Sequence, residues 1–156
     1  MIDYNSILVA VDFSPAAQNA ARRAGEFSSL IGAKMTLLHV LEHFPEDIPN
    51  EIIVPENVDT EQFYVEQAQA RLIDLRNHLD HDDSTTAVEI IVSTAIDVVV
   101  SPHSAGRVIS EYAVQHNMDL IIMGNHGKPG VLETLGSTTS KVLHTAAADI
   151  LVVKQE

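Results

Sequence analysis

Short runs of branched apolar residues recur along this chain, and each is followed by a stretch with helical spacing. Ile7-Leu8-Val9-Ala10-Val11 ends at Asp12 without polar alternation, so it reads as a strand buried on both faces. Ser14 and Pro15 then supply a helix N-cap and a first-turn proline. Ala17, Ala20, Ala21, Ala24, Phe27 and Ile31 follow at helical spacing, and Gly32 stops the helix. Met35 to Val40 is a second buried strand, in which His39 reads as a buried, hydrogen-bonded residue. Thr60 caps a helix whose apolar stripe is Val65, Ala68, Leu72, Leu75 and Leu79. Ala87 to Val92 reads as the third strand, and Ser93 to Val100 is either its extension through a bulge or an undecided segment. Pro102 and Ser104 open a helix carrying Val108, Ile109, Tyr112 and Ala113. Asp119 to Met123 is a fourth strand, Ser137 begins the last helix, and Ile150 to Val153 is a terminal strand.

Strands that alternate with helices pair in parallel, because parallel neighbours need helical crossovers. The expected fold class is α/β: a single-domain, Rossmann-like, open parallel five-stranded sheet with helices on both faces, spanning residues 1–156. Ligands of such sheets bind beyond the carboxyl ends of the strands, where the strand order reverses. Residues 41–59, with three prolines and six acidic residues, read as a long surface loop. The cluster from His78 to Asp83 reads as an acidic helix end in water rather than a metal site.

Charge narrows the function. Lys and Arg number 9 against 22 Asp and Glu, a net charge of -13, and no basic run occurs. Such a chain repels nucleic-acid backbones and anionic membrane surfaces. A nucleotide would need strong local donors and a divalent cation to offset the repulsion. There is no cysteine, so neither a thiolate metal site nor a cysteine nucleophile is available. The opening MIDYNSILVAVD has no basic segment or long apolar run, so no signal peptide, no membrane insertion and a cytoplasmic location are expected.

The most informative segment leaves the fourth strand and enters the last helix. Gly124 and Gly127 would let backbone approach a ligand closely. Gly136 and Ser137 sit at a helix start, where free N–H groups favour an anion, and Ser137 and Thr138 add hydroxyl donors. The segment is not a P-loop, since no Lys follows Gly136. Ser137 also reads simply as an N-cap, and Asp12 as the end of a strand or the cap of the next turn. His126, between the two glycines, is either a phosphate contact or a solvated loop histidine.

The chain resembles the universal stress protein family over nearly its whole length, through ILVAVDFSPAA, LLHV, DLIIMGNHG, LGSTTSKVL and ILVVK. Nucleotide-binding members carry G-x2-G-x9-G-[ST] after the fourth strand. Here residues 128–135 separate Gly127 from Gly136, eight where that pattern has nine. The resemblance implies an ATP site, with Mg²⁺ held mainly by the phosphates. It places Ala10, Val11 and Asp12 near the adenine and ribose, and Val40 at the adenine edge. Met123, Gly124 and Gly127 then form the ribose and phosphate wall, and Gly136, Ser137 and Thr138 the phosphate-binding helix start. It also implies a homodimer paired through the C-terminal strand. No nucleophile, base and orienting group can be named together, so the expected role is a regulatory binding module with slow or no hydrolysis, acting on an unidentified partner protein. The alternative is a dimeric interaction protein of the same fold that binds no nucleotide.

Overall fold

The computed structural model describes residues 3–42, 56–57, 59–79, 93–125 and 135–154. Among these, five strands form one sheet: β1 (Ser6–Ala10), β2 (Lys34–Leu41), β3 (Ala95–Val100), β4 (Leu120–Gly124) and β5 (Asp149–Val153). Their order is β3-β2-β1-β4-β5, and every neighbouring pair is parallel. The strands alternate with helices α1 (Pro15–Ile31), α2 (Thr60–Asn77), α3 (Ala105–Gln115) and α4 (Ser137–Thr145).

The alternation of side chains along each strand divides the core into two layers. Ile7, Val9, Leu37 and Ile122 pack against the alanines of α1 and Leu72 of α2. Leu8, Leu38, Ile121 and Met123 pack against Ile109, Tyr112 and Ala113 of α3 and Val142 of α4. Ile7, Leu8, Val9, Ile121 and Ile122 are wholly buried. Each such side chain contributes about 1.5–3 kcal/mol by leaving water.

Helix α1 follows its local signals. Ser14 Oγ accepts from the Ala17 N–H at 3.2 Å, Pro15 opens the first turn, and Gly32 closes the helix at φ +73° with its N–H donating to the Ser28 carbonyl. Ile31, counted in the apolar stripe, is 40% exposed because the core ends one turn earlier. The cap of α2 is Asp59, one residue before the expected Thr60; its Oδ1 accepts from the N–H groups of Glu61 (2.9 Å) and Gln62 (3.3 Å).

The segment left undecided from the sequence supplies the third strand. The segment that pairs with β2 is Ala95–Val100, with Leu37 opposite Ile96 and His39 opposite Val98. Residues 87–92, read as that strand, lie outside the described residues. Ile96 and Val98 face one core layer and Val99 the other, while Asp97 takes a hydrogen bond from the Tyr112 hydroxyl at 2.8 Å.

Two close approaches fix the helices at the carboxyl end of the sheet. A Cβ on Gly124 would lie 2.6 Å from the carbonyl carbon of Ala16, so α1 rests directly on the end of β4. A Cβ on Gly106 would lie 2.7 Å from Lys141 Cβ, and Ser110 and Thr145 share a hydroxyl bond at 2.8 Å, which brings α3 against α4. At the opposite end, Asp119 Oδ2 accepts from the Asn5 and Ser6 N–H groups and from Ser6 Oγ. Those bonds hold its carboxyl below the usual range and pin the start of β4 to the start of β1.

Candidate functional site

The strand order reverses between β1 and β4, and a cavity of about 300 Å³ opens there at the carboxyl ends of β1, β2 and β4. The position follows from the topology, since crossovers leave that edge in opposite directions and cannot cover it. Of the residues named from the sequence, Ala10, Val11, Asp12, Val40, Met123, Gly124 and Thr138 all line it. Gly136 and Ser137 do not. Gly136 is the N-cap of α4 and Ser137 is exposed, while the helix enters the cavity wall through Thr138 and Thr139. His126 and Gly127 lie outside the described residues.

The requirement for glycine at 124 has a different origin from the one expected. The Cα hydrogen faces the backbone of α1, so a side chain there would strike Ala16. The Gly124 carbonyl accepts from Thr139 Oγ1 at 3.1 Å, which ties the end of β4 to the first turn of α4.

Asp12 works as a local anchor at the mouth of the site. Its Oδ1 accepts from the Ser14 N–H at 3.0 Å and from Ser14 Oγ at 2.6 Å, and Ser14 in turn caps α1. The carboxylate is exposed, so this turn and a ligand hydroxyl are both within its acceptor capacity. Between Asp12 and Ser14, Phe13 adopts φ +65°, a left-handed conformation that costs a non-glycine residue on the order of 1–2 kcal/mol. The surroundings hold it there: its ring lies 4.6 Å from that of His39, and the Arg71 guanidinium sits 3.9 Å from its centroid.

His39 links this turn to β2. Its Nδ1 lies 2.6 Å from the Val11 carbonyl oxygen, so the Nδ1 proton donates to it. Burial pushes the imidazole pKa down and the Arg71 charge acts in the same direction; the Val11 bond and the Asp12 charge oppose them without prevailing. The ring is therefore neutral near pH 7, and its tautomer is set by the Val11 carbonyl.

Sequence reasoning missed Leu38, Glu42, Ala105, Ile109 and Thr139 as wall residues, and His39 as part of the site. Glu42 is the most consequential. Its Oε1 accepts from the Ala105 N–H at 2.6 Å, whereas Ser104, the N-cap residue of α3, makes no side-chain cap bond. A carboxylate from the end of β2 thus caps α3 across the cavity. The signal available was an acidic residue two positions beyond Val40, directly after the strand ends.

The electrostatic character follows. The described lining residues include two carboxylates, Asp12 and Glu42, and no Lys or Arg. Positive potential comes from the N-terminus of α4, where Thr138 lines the wall. Among the described residues no group of three or more His, Asp or Glu is placed to hold a metal ion, and no helix is long and apolar enough to cross a membrane. His78 is exposed, with Nδ1 on the Asp74 carbonyl at 2.7 Å; residues 80–83 of its acidic cluster lie outside the described residues.

Comparison with known proteins gives a consistent result. The model of the universal stress protein family matches residues 3–154. Universal stress protein A homolog 1 of Coxiella burnetii is 33% identical over 150 residues, covering 96% of each chain. The solved structure of MJ0577, a universal stress protein of Methanocaldococcus jannaschii, superposes with a TM-score of 0.72 at 27% identity, over 99% of both chains. At 20% identity, a universal stress protein from Archaeoglobus fulgidus solved with dAMP shares the fold with a TM-score of 0.58, over 98% of this chain and 100% of that one. A universal stress protein solved in complex with cAMP does so at 0.59, also at 20% identity, over 99% of this chain and 100% of that one.

Proposed function

This chain belongs to the universal stress protein family, and from that premise we propose that it is a regulatory module that binds an adenine nucleotide, ATP in the first instance, and turns it over slowly or not at all. The observation that carries the reading is the cavity at the strand-order reversal, with the start of α4 in its wall. Amide groups at a helix start suit phosphate, and the lining also includes Ala10, Leu38, Val40 and Ile109, apolar surface that suits a base. Two solved structures of the same fold hold dAMP and cAMP.

ATP brings its charge to a wall with two carboxylates and, among the described lining residues, no cation. Mg²⁺ would supply charge neutralisation there, held mainly by the phosphates, with the Thr138 hydroxyl and the Asp12 carboxylate as the nearby oxygen groups of this chain. Titration calorimetry tests the reading. ATP with Mg²⁺ is expected to bind, and chelation of the metal to weaken binding at least about tenfold, a difference of ~1.4 kcal/mol. No binding of ATP, AMP or cAMP would leave the dimeric interaction protein as the reading.

We further propose that the protein acts in the cytoplasm as a homodimer. Among the described residues β5 pairs with β4 on one side only, and Leu151 at its centre is 38% exposed. Such an edge invites a second strand, and antiparallel pairing with its own copy satisfies two-fold symmetry. Light scattering is expected to give twice the chain mass for the wild type and a folded monomer for Val152→Lys. A wild-type monomer at tens of micromolar removes this part of the proposal.

A further inference from the structure

We propose that Glu42 selects the ligand's base, favouring a purine that carries an amino group at position 6 over one that carries an oxygen there; this rests on the nucleotide reading above. The argument starts from the two helix N-termini that reach the cavity. Ala105 of α3 and Thr138 of α4 both line it, and each helix start attracts negative charge. They are not equivalent. The start of α3 is already occupied by the Glu42 carboxylate, bonded to the Ala105 N–H at 2.6 Å. The start of α4 has Gly136 as its N-cap and no side-chain cap bond. A phosphate is therefore repelled from the α3 side by a fixed negative charge and directed to α4.

That polarity leaves the base on the β2 and α3 side, over the apolar wall of Ala10, Leu38, Val40 and Ile109. Glu42 stands at this end, half buried, with one hydrogen bond among the described residues. An ionised carboxylate offers about four lone-pair positions and no proton, so α3 uses a fraction of its capacity. An amino edge donates to it. A keto edge sets oxygen against oxygen in a part-desolvated site, where an unmatched acceptor is costly.

The Glu42→Gln variant separates the two roles of the side chain. The glutamine carbonyl still accepts from the Ala105 N–H, so α3 keeps its cap, while the negative charge is replaced by an amide that can donate. AMP and IMP are the probes, since they differ at position 6 of the purine and carry the same phosphate. Calorimetry is expected to show the wild type binding AMP at least about tenfold more tightly than IMP, the scale of one hydrogen bond to a charged group. In Glu42→Gln the ratio is expected to fall at least about fivefold, by weaker AMP and stronger IMP binding, with a melting temperature within about 2 °C of wild type. An unchanged AMP-to-IMP ratio overturns the proposal, as does an equal loss for both ligands, which marks a structural role alone. Failure of the wild type to bind AMP overturns this inference, and failure to bind ATP and cAMP as well overturns the nucleotide reading with it; binding of both AMP and IMP with an unaltered ratio overturns this inference and leaves that reading standing.

Discussion

Substituting valine for Gly124 is expected to unfold the protein or lower its melting temperature by about 6–12 °C, the equivalent of at least ~3 kcal/mol in a chain of this size. The added Cβ would meet Ala16 at 2.6 Å from its carbonyl carbon, 2.7 Å from its oxygen and 2.9 Å from its Cβ. Those are mostly backbone atoms of a helix, and no rotamer change relieves them. The helix must lift from the sheet, and the bond from Thr139 Oγ1 to the Gly124 carbonyl is strained with it. Thermal unfolding followed by circular dichroism checks the expectation. A melting temperature within about 2 °C of wild type would show that α1 can move without cost, and would return Gly124 to the role of a ligand-facing glycine.

Leu72→Ala is expected to cost about 2–5 kcal/mol, the range for emptying a buried leucine site. The loss concentrates on one element. Along α2 only Ala68 and Leu72 are buried, and Leu72 is wholly so. It joins the helix to the layer that holds Leu37, Val9 and Ile7. Without it α2 keeps few anchors, and Arg71, one residue earlier, loses its fixed position over Phe13. Hydrogen exchange is expected to quicken first in the amides of α2, ahead of β1 and β4, because regions with few buried contacts open locally before the whole molecule does. Uniform acceleration across the sheet would contradict this, as would an unaltered melting curve.

Legibility in the sequence depended on how far away each residue's partner lies. Helix α1 could be read to its ends because Ser14, Pro15 and Gly32 act within one turn of themselves. The α2 cap was misread by one residue because Asp59 and Thr60 are both good cap residues, and geometry alone chose between them. The third strand was undecided because branched residues continue from Ala87 to Val100 with an aspartate inside; the partner that accommodates Asp97 is Tyr112, on another element. In the site, residues at strand ends were legible because the alternation of elements fixes which end gathers them. Ala10, Val11, Asp12, Val40 and Met123 fall in this class. Glu42 and His39 were not, since each acquires its role from a partner distant in sequence: the Ala105 N–H, 63 positions on, and the Val11 carbonyl, 28 positions back. At Gly124 the need for glycine was visible and its cause was not, because the colliding atoms belong to Ala16, more than a hundred positions earlier.

The central place of β1 sets a schedule for the chain as it is made. This strand is apolar on both faces, yet its second neighbour follows long after it: Asp119, which fastens β4 to it, reaches back 113 positions to Ser6. At ~5–20 residues per second, roughly 6–23 s pass between the emergence of Ser6 and that of Asp119. During that interval β2 can cover one side of β1, while the other presents unpaired N–H and C=O groups on a run of Ile, Leu and Val. The nascent protein is therefore most exposed to aggregation before β4 arrives. Slower translation lengthens that window in direct proportion, so the yield of folded protein is expected to fall as elongation slows.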